Sequence, residues 1–328
     1  MASEQRWHAT AYWTTSPHHG ELRTEELPPP ADGEALVRAL HSGISRGTEL
    51  LVHRGGVPPA VAERMRAPFQ AGALPGPVKY GYLSVGVVEQ GPPDLTGRTV
   101  FCLHPHQDRY VVPAAALTPV PDDVPPRRAV LAGTVETAVN ALWDAAPRLG
   151  DRVAVIGAGM VGAAVAALLR SFPLGRLELV DVDEGRRAVA DRLGVAFAHP
   201  DAAAGECDLV VHCSATGAGL GRGLELLGEE GELVELSWYG DREVSLDLGG
   251  AFHARRLSVR ASQVGAVSAA RRARRTHAER LALALDLLRD DAFDALVTDH
   301  GPFAELPVTI DRLAKGDLDS LCYVVDYL

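Results

Sequence analysis

Val153-Ala154-Val155-Ile156-Gly157-Ala158-Gly159-Met160-Val161-Gly162 decides the fold of this chain. A β-branched apolar run enters a Gly-x-Gly-x-x-Gly turn, and the Ala- and Leu-rich segment 163–170 leaves it with helical character. A second apolar run, 177–180, ends on Asp181, nineteen residues after Gly162. Strand, turn, helix, strand and acid in that order read as a dinucleotide-binding βαβ unit. Gly157 permits the tight turn, Gly159 lets backbone approach a pyrophosphate, and Gly162 lets helix and strand pack closely. Met160 and Val161 open the helix, whose free N–H groups and positive dipole end attract phosphate. Asp181 can accept hydrogen bonds from both adenosine ribose hydroxyls and repels a 2′-phosphate, so the expected cofactor is NAD(H). Arg186 and Arg187 follow it and offer a countercharge for a 2′-phosphate. The competing reading is a structural glycine turn in some other βαβ unit.

Composition sets the frame around this unit. The 328 residues suggest two domains, and 47% hydrophobic content can bury a sizeable core. A net charge of −11 gives no nucleic-acid footprint. No apolar run approaches the ~20 residues that span a bilayer. The stretch Met1 to His8 is polar and lacks the basic and apolar regions of a signal peptide. Cys102, Cys207, Cys213 and Cys322 have no paired spacing, which fits a reducing cytoplasm and leaves no four-cysteine zinc lobe.

The first third reads as β-rich, with strands expected at 34–40, 84–89, 98–103 and 109–112 between Gly and Pro punctuation. From about Pro125 the pattern alternates. It predicts a helix over 127–145, buried strands over 208–213 and 232–236, a strand over 257–264 and a helix over 278–289. The tail carries a helical stretch, 308–314, and an apolar strand, 322–327. The expected class is α/β. A β-rich domain of residues 1–123 and 269–328 flanks a doubly wound parallel-sheet domain of 124–268.

This order resembles the medium-chain dehydrogenase/reductase superfamily, with its GroES-like catalytic domain, Rossmann domain and C-terminal return. Ser42-Gly43-Ile44-Ser45-Arg46-Gly47-Thr48-Glu49 is similar to the superfamily's Gly-Ile-Cys-x-Thr-Asp motif. Gly81-Tyr82-Leu83-Ser84-Val85-Gly86 is similar to its Gly-His-Glu-x-x-Gly, and 131–141 with 149–153 to its entry into the Rossmann strand. These forms look most like the bacteriochlorophyllide dehydrogenase group. The resemblance implies a dimer. It also implies that zinc ligands would stand at Ser45, Tyr82 and, in a looser alignment, Gly133. None is a zinc ligand in its neutral form, because zinc takes thiolate, imidazole and carboxylate. The second-motif glutamate is Leu83. The expectation is a zinc-free member with no metal.

Without zinc, hydrogen-bond donors must stabilise the alkoxide that forms as a ketone accepts hydride. Tyr82 stands at the lost histidine position, Ser45 at the lost cysteine, and Thr48 matches a hydroxyl that relays a proton in alcohol dehydrogenases. His104 and His106 follow the strand near 99–103, and residues two apart in extended chain point the same way. A histidine near pKa ~6.5 suits acid or base work at neutral pH. Each has a bland alternative: Tyr82 packing on backbone, Thr48 in a turn, a surface histidine pair. Arg46 is placed against the cofactor pyrophosphate, or else in a salt bridge with Glu49. Glu136 is placed at the pocket, or else on a solvated helix. Ser214 and Ala215, like Ser237, Trp238 and Tyr239, follow strands at the sheet's carboxyl edge, where ligands bind. Arg271-Arg272-Ala273-Arg274-Arg275 reads as a solvated run or an anion grip.

The leading functional reading is a cytoplasmic homodimer, free of membrane and nucleic-acid partners. It would transfer hydride between NAD(H) and a functionalised secondary alcohol or ketone, such as a cyclic or sugar-derived polyol. The alternatives are an NAD(P)H-dependent enone or quinone reductase, a retained-NAD epimerase or lyase, and a non-catalytic nucleotide-binding protein.

Overall fold

The computed structural model describes residues 7–327. Residues 1–6, most of the polar N-terminal stretch, and 328 lie outside the described residues. The chain forms two compact units, one running through Gly133 and resuming at Val297, the other being Thr134–Leu296. Both boundaries fall later than expected. Residues 124–133 join the first unit, where Pro126–Ala129 packs on the strands Glu34–Ile44 and Ser84–Gln90. Residues 269–296 join the second, because Arg280 on the helix His277–Leu287 is tied to Glu136 and Asn140. The expected helix over 127–145 is two, Pro126–Ala129 and Ala132–Ala145.

Among its described residues the second unit holds a six-stranded sheet. Its order is Ala196–Ala198, Arg176–Val180, Arg152–Ile156, Cys207–His212, Leu227–Glu235, Ser258–Ala261. Every neighbouring pair is parallel. Arg152–Ile156 starts the sheet in the middle, and successive strands add on one side and then on the other. The carboxyl ends of Arg152–Ile156 and Cys207–His212 therefore flank the point where strand order reverses, where open α/β sheets bind ligands. The central strands are apolar because both faces are covered. The helix Met160–Leu169 is buried along nearly its whole length, which its alanines make possible. Ser258–Ala261 is the edge strand, and all four of its residues are exposed.

The first unit is built on a mixed sheet in the order Val297–Pro302, Cys322–Asp326, Glu34–Ile44, Ser84–Gln90, Thr99–Cys102, Thr118–Pro119. Arg109–Pro113 also pairs with Glu34–Ile44. The C-terminal strand Cys322–Asp326 lies antiparallel to Glu34–Ile44, so the tail completes the first unit. The hairpin of Trp7–Ser16 and His19–Leu27 lies outside the expected strands. Its second strand, HGELRTEEL, is half-exposed along its length and so carries no apolar signal. Among the described residues no helix is long and apolar enough to cross a membrane.

Candidate active site

In the second unit the fingerprint turn fits a dinucleotide on steric grounds. Gly157 has φ +100°, and an added Cβ would sit 2.7 Å from the Ser214 nitrogen. At Gly162 a Cβ would sit 1.9 Å from the Gly157 carbonyl oxygen, so only glycine lets the helix approach this closely. Gly159 is different: its Cβ would meet nothing within 4 Å, and the residue is exposed. A side chain there would project into the open space at the helix N-terminus, where a pyrophosphate would lie. Met160 is buried beneath and Val161 half-buried. Asp181 accepts the Ala158 N–H at 2.6 Å and the Asp183 N–H at 2.9 Å. Its carboxylate keeps further lone pairs for ribose hydroxyls. Arg186 pairs with Asp183 at 3.2 Å and Arg187 with Glu184 at 2.6 Å.

The sheet's carboxyl edge gathers Ser214, Ala215, Ser237 and Tyr239, as expected, around two residues the sequence did not single out. His212 is fully buried; its Nδ1 lies 2.8 Å from Glu235, and its Nε2 lies 2.7 Å from the Ser214 hydroxyl. Burial raises the Glu235 pKa, but the His212 contact and the Ser237 N–H outweigh it and leave a net lowering. Ser237 Oγ accepts the Ala215 N–H at 3.0 Å, and Tyr239 Oη donates to Glu235 at 2.9 Å. Tyr239 is thus turned onto the strand end rather than outward. Trp238 is half-buried.

Three candidates in the first unit come together. Tyr82 donates its hydroxyl to Ser45 Oγ at 2.5 Å. Burial pushes the Tyr82 pKa up to about 12, moderated by the Ser45 and Thr48 hydroxyls beside its oxygen. Tyr82 therefore stays a donor at neutral pH. Among the described residues no hydrogen bond takes up the Ser45 hydroxyl proton. Ser45 itself precedes the helix Arg46–His53, and its N–H is held by Glu49 Oε1 at 2.8 Å. Leu83 is fully buried, and a Cβ on Gly133 would meet its side chain at 2.6 Å. Apolar packing thus fills the space beside the second motif.

Four expected placements differ. His104 and His106 do not point together, because Pro105 separates them in a segment that is not extended strand. His104 stacks on Tyr110 at 3.8 Å and its Nδ1 donates to the Pro105 carbonyl. Burial drags its pKa from the ordinary range to about 3, so at neutral pH it has no acidic proton to give. His106 is buried between Glu49 Oε2, 2.7 Å away, and the Ser42 hydroxyl, 2.6 Å away, and Ser42 continues to Tyr327 at 2.9 Å. Arg46 pairs with Asp319 at 2.7 Å and the Ser320 carbonyl at 2.9 Å, within its own unit. Glu136 is buried against Arg280 at 3.1 Å. The run 271–275 is exposed throughout. Among the described residues no three His, Cys, Asp or Glu side chains converge as a metal would need.

No family model matches the chain. Over 202 residues it is 29% identical to L-galactonate-5-dehydrogenase of Escherichia coli (strain K12), covering 55% of this chain and 58% of that protein. The chain thus spans little more than half the length of that relative. An alcohol dehydrogenase of E. coli CFT073, complexed with NADH, superposes with a TM-score of 0.77 at 16% identity, over 98% of this chain and 99% of its own. A protein of Sinorhizobium meliloti 1021 described as a zinc-binding dehydrogenase, bound to NADP, superposes with a TM-score of 0.79 at 16% identity, over 98% of this chain and 100% of its own. The chain shares the fold of these two dehydrogenases over nearly its whole length.

Proposed function

We propose that this chain is a medium-chain oxidoreductase that moves hydride between NAD(H) and a hydroxylated secondary alcohol or its ketone, with side-chain hydroxyls in place of zinc. The observation that carries this reading is the bond from Tyr82 to Ser45, at two motif positions where zinc ligands would stand, with the Thr48 hydroxyl of the relay position beside the Tyr82 oxygen. Bound nicotinamide supplies or takes the hydride. Tyr82, donating to Ser45 Oγ, leaves the Ser45 proton to be aimed at the substrate oxygen. That bond strengthens as the oxygen becomes an alkoxide, which is the difference between ground and transition state that catalysis needs.

Three observations support the finer points. The Asp181 carboxylate, with Arg186 and Arg187 already paired to neighbouring acids, favours a free 2′-hydroxyl and so NAD(H). Hydroxyl donors and the similarity to L-galactonate-5-dehydrogenase both favour a sugar-derived polyol. The exposed edge strand Ser258–Ala261 favours a homodimer, and light scattering that reports a monomer at micromolar concentration would remove that point.

The test is an alcohol and ketone panel, led by sugar acids, followed at the nicotinamide absorbance with NAD and with NADP and paired with metal analysis. Turnover with NAD and no tightly bound zinc is expected. Near-stoichiometric zinc that leaves together with activity would overturn the hydroxyl mechanism. Calorimetry should give tighter NADH than NADPH binding, and Asp181→Ser should narrow the difference; tighter NADPH binding would refute the role of Asp181.

A further inference from the structure

The carboxyl edge of the parallel sheet carries a chain of hydrogen bonds that the proposed reaction does not use. It starts at Glu235, whose carboxylate also accepts the Ser237 N–H at 2.7 Å and the Tyr239 hydroxyl at 2.9 Å. Burial opposes ionisation of Glu235, but His212 and the Ser237 N–H outweigh it, so the group is ionised and can only accept. His212 therefore carries its Nδ1 proton toward Glu235, 2.8 Å away. On the other side, His212 Nε2 lies 2.7 Å from Ser214 Oγ, and Ser214 Oγ lies 2.9 Å from Thr216 Oγ1. Thr216 Oγ1 accepts the Gly219 N–H at 3.0 Å. His212 is fully buried and Thr216 is exposed, so the chain runs from the interior to the surface. It runs past the fingerprint turn, since a Cβ on Gly157 would sit 2.7 Å from the Ser214 nitrogen.

The direction of this chain depends on one proton. With His212 neutral, Nε2 can only accept, so Ser214 donates to it and Thr216 donates to Ser214. Every hydroxyl proton then points inward, and the exposed end offers only a lone pair. With His212 protonated, Nε2 donates to Ser214, Ser214 donates to Thr216, and the Thr216 proton is left for a ligand. The proton arrives by the same route. Solvent gives one to Thr216, Thr216 passes its own to Ser214, and Ser214 passes its own to His212. The groups around the ring leave Glu235 as its counterion. Tyr239, stacked on it at 6.5 Å, and Cys213, next in sequence, keep their protons because burial raises both pKa values. Gly219, packed against Nε2 from the helix Gly217–Leu226, and Ile156, its partner on the neighbouring strand, add no charge. Arg242 brings a positive charge to the same loop through the Ala215 carbonyl, 3.1 Å away.

We propose that His212 is a positioning residue of the dinucleotide site, taking up a proton as the anionic cofactor binds and so turning the Ser214 and Thr216 hydroxyls from acceptors into donors. The proposal rests on the dinucleotide reading of the fingerprint turn. A dinucleotide brings a negatively charged pyrophosphate whose oxygens only accept. It gains a donor from Thr216 and a nearby positive charge from His212 when the chain is reversed, and neither when it is not. Imidazolium beside the Glu235 carboxylate is a neutral pair, so the buried cluster holds no lone charge in that state.

Calorimetric titration with NADH, repeated at one pH in phosphate and in Tris, counts the protons exchanged on binding. Uptake is expected. By linkage, NADH affinity should then weaken as pH rises, by up to about tenfold per pH unit for a whole proton. Ser214→Ala, which cuts the chain, and His212→Gln, which cannot be charged, should each abolish the uptake. Thr216→Ser, which keeps the hydroxyl and the helix cap, should retain it. Proton release, no exchange, uptake that survives in Ser214→Ala, or its loss in Thr216→Ser overturns the proposal. A merely structural His212 would weaken binding in the variants without changing the proton count. If His212→Gln fails to fold, Ser214→Ala decides alone, since it removes a single hydroxyl. Binding without uptake removes this proposal and leaves the dinucleotide reading standing; failure to bind either NADH or NADPH removes both.

Discussion

Glu136 with Arg280 in one unit and Glu49 with His106 in the other are both buried pairs of an acid and a base, and the two behave differently. In the parallel-sheet unit, Glu136 meets Arg280, whose remaining donors reach Asn140 and the Val264 and Ala266 carbonyls. Arg280 makes four hydrogen bonds in this way, and the pair binds two helices and a loop together. In the other unit, Glu49 meets His106, and the pair is open at both ends. One end runs through Ser42 to Tyr327; the other touches the Ser45 N–H and the wall of a polar cavity. Buried charge by itself therefore does not mark a reactive site. What distinguishes the second pair is a titratable base and neighbours that can still exchange hydrogen bonds.

The sharpest way to break this contrast is to cut the first pair. Arg280→Ala leaves Glu136 buried without a countercharge and should cost about 3–5 kcal/mol of stability in denaturant unfolding. Below the unfolding transition NADH should still bind, because Asp181 and the glycine turn do not involve the pair. Loss of NADH affinity in the folded variant would mean that Glu136 serves the cofactor site after all.

Next in size is the trio itself. Ser45→Ala and Tyr82→Phe should each lower turnover by ~100–1,000-fold, the cost of losing one positioned donor, with NADH affinity nearly unchanged. Ser45→Ala is the purer test of the terminal donor, and Tyr82→Phe of the group that polarises it. If both retain near-normal turnover with the true substrate, the donor is elsewhere, and Glu49 with His106 is the next place to look.

The two sites were also unequally legible in the sequence. The dinucleotide cradle is made by backbone within one continuous stretch, so Gly157, Gly159 and Gly162 announce themselves by spacing, and their steric reasons are local. Ser45, Thr48 and Tyr82 could be singled out only through the resemblance, Ser45 and Tyr82 at its zinc-ligand positions and Thr48 at its relay hydroxyl. The surrounding network was not legible. Ser42, His106 and Tyr327 meet only because the C-terminal strand returns to pair with Glu34–Ile44, a long-range contact with no local signal. Arg46 and Glu136 misled for a related reason: their partners, Asp319 and Arg280, lie far along the chain. His212 was hidden inside an apolar strand, where a single polar residue reads as noise.

His104 gives the smallest expected effect and the most direct check on which histidine matters. His104→Phe keeps a ring to stack on Tyr110, so stability and turnover at pH 7 should stay near wild type, against the ~100–10,000-fold a general acid supplies. The difference appears on acidification. The folded pKa of about 3 lies below the unfolded value of roughly 6.5, so between these limits the unfolded chain binds a proton that the folded chain does not. The contribution of His104 is complete above pH 6.5 and is lost as pH falls toward 3. His41 and His53, also lowered chiefly by burial, add the same sign in both proteins. Urea midpoints measured from pH 7 to pH 5 should therefore fall less steeply in His104→Phe than in wild type. Parallel slopes would show that His104 is not held neutral by burial. A large loss of turnover at pH 7 would return it to the catalytic set beside Tyr82.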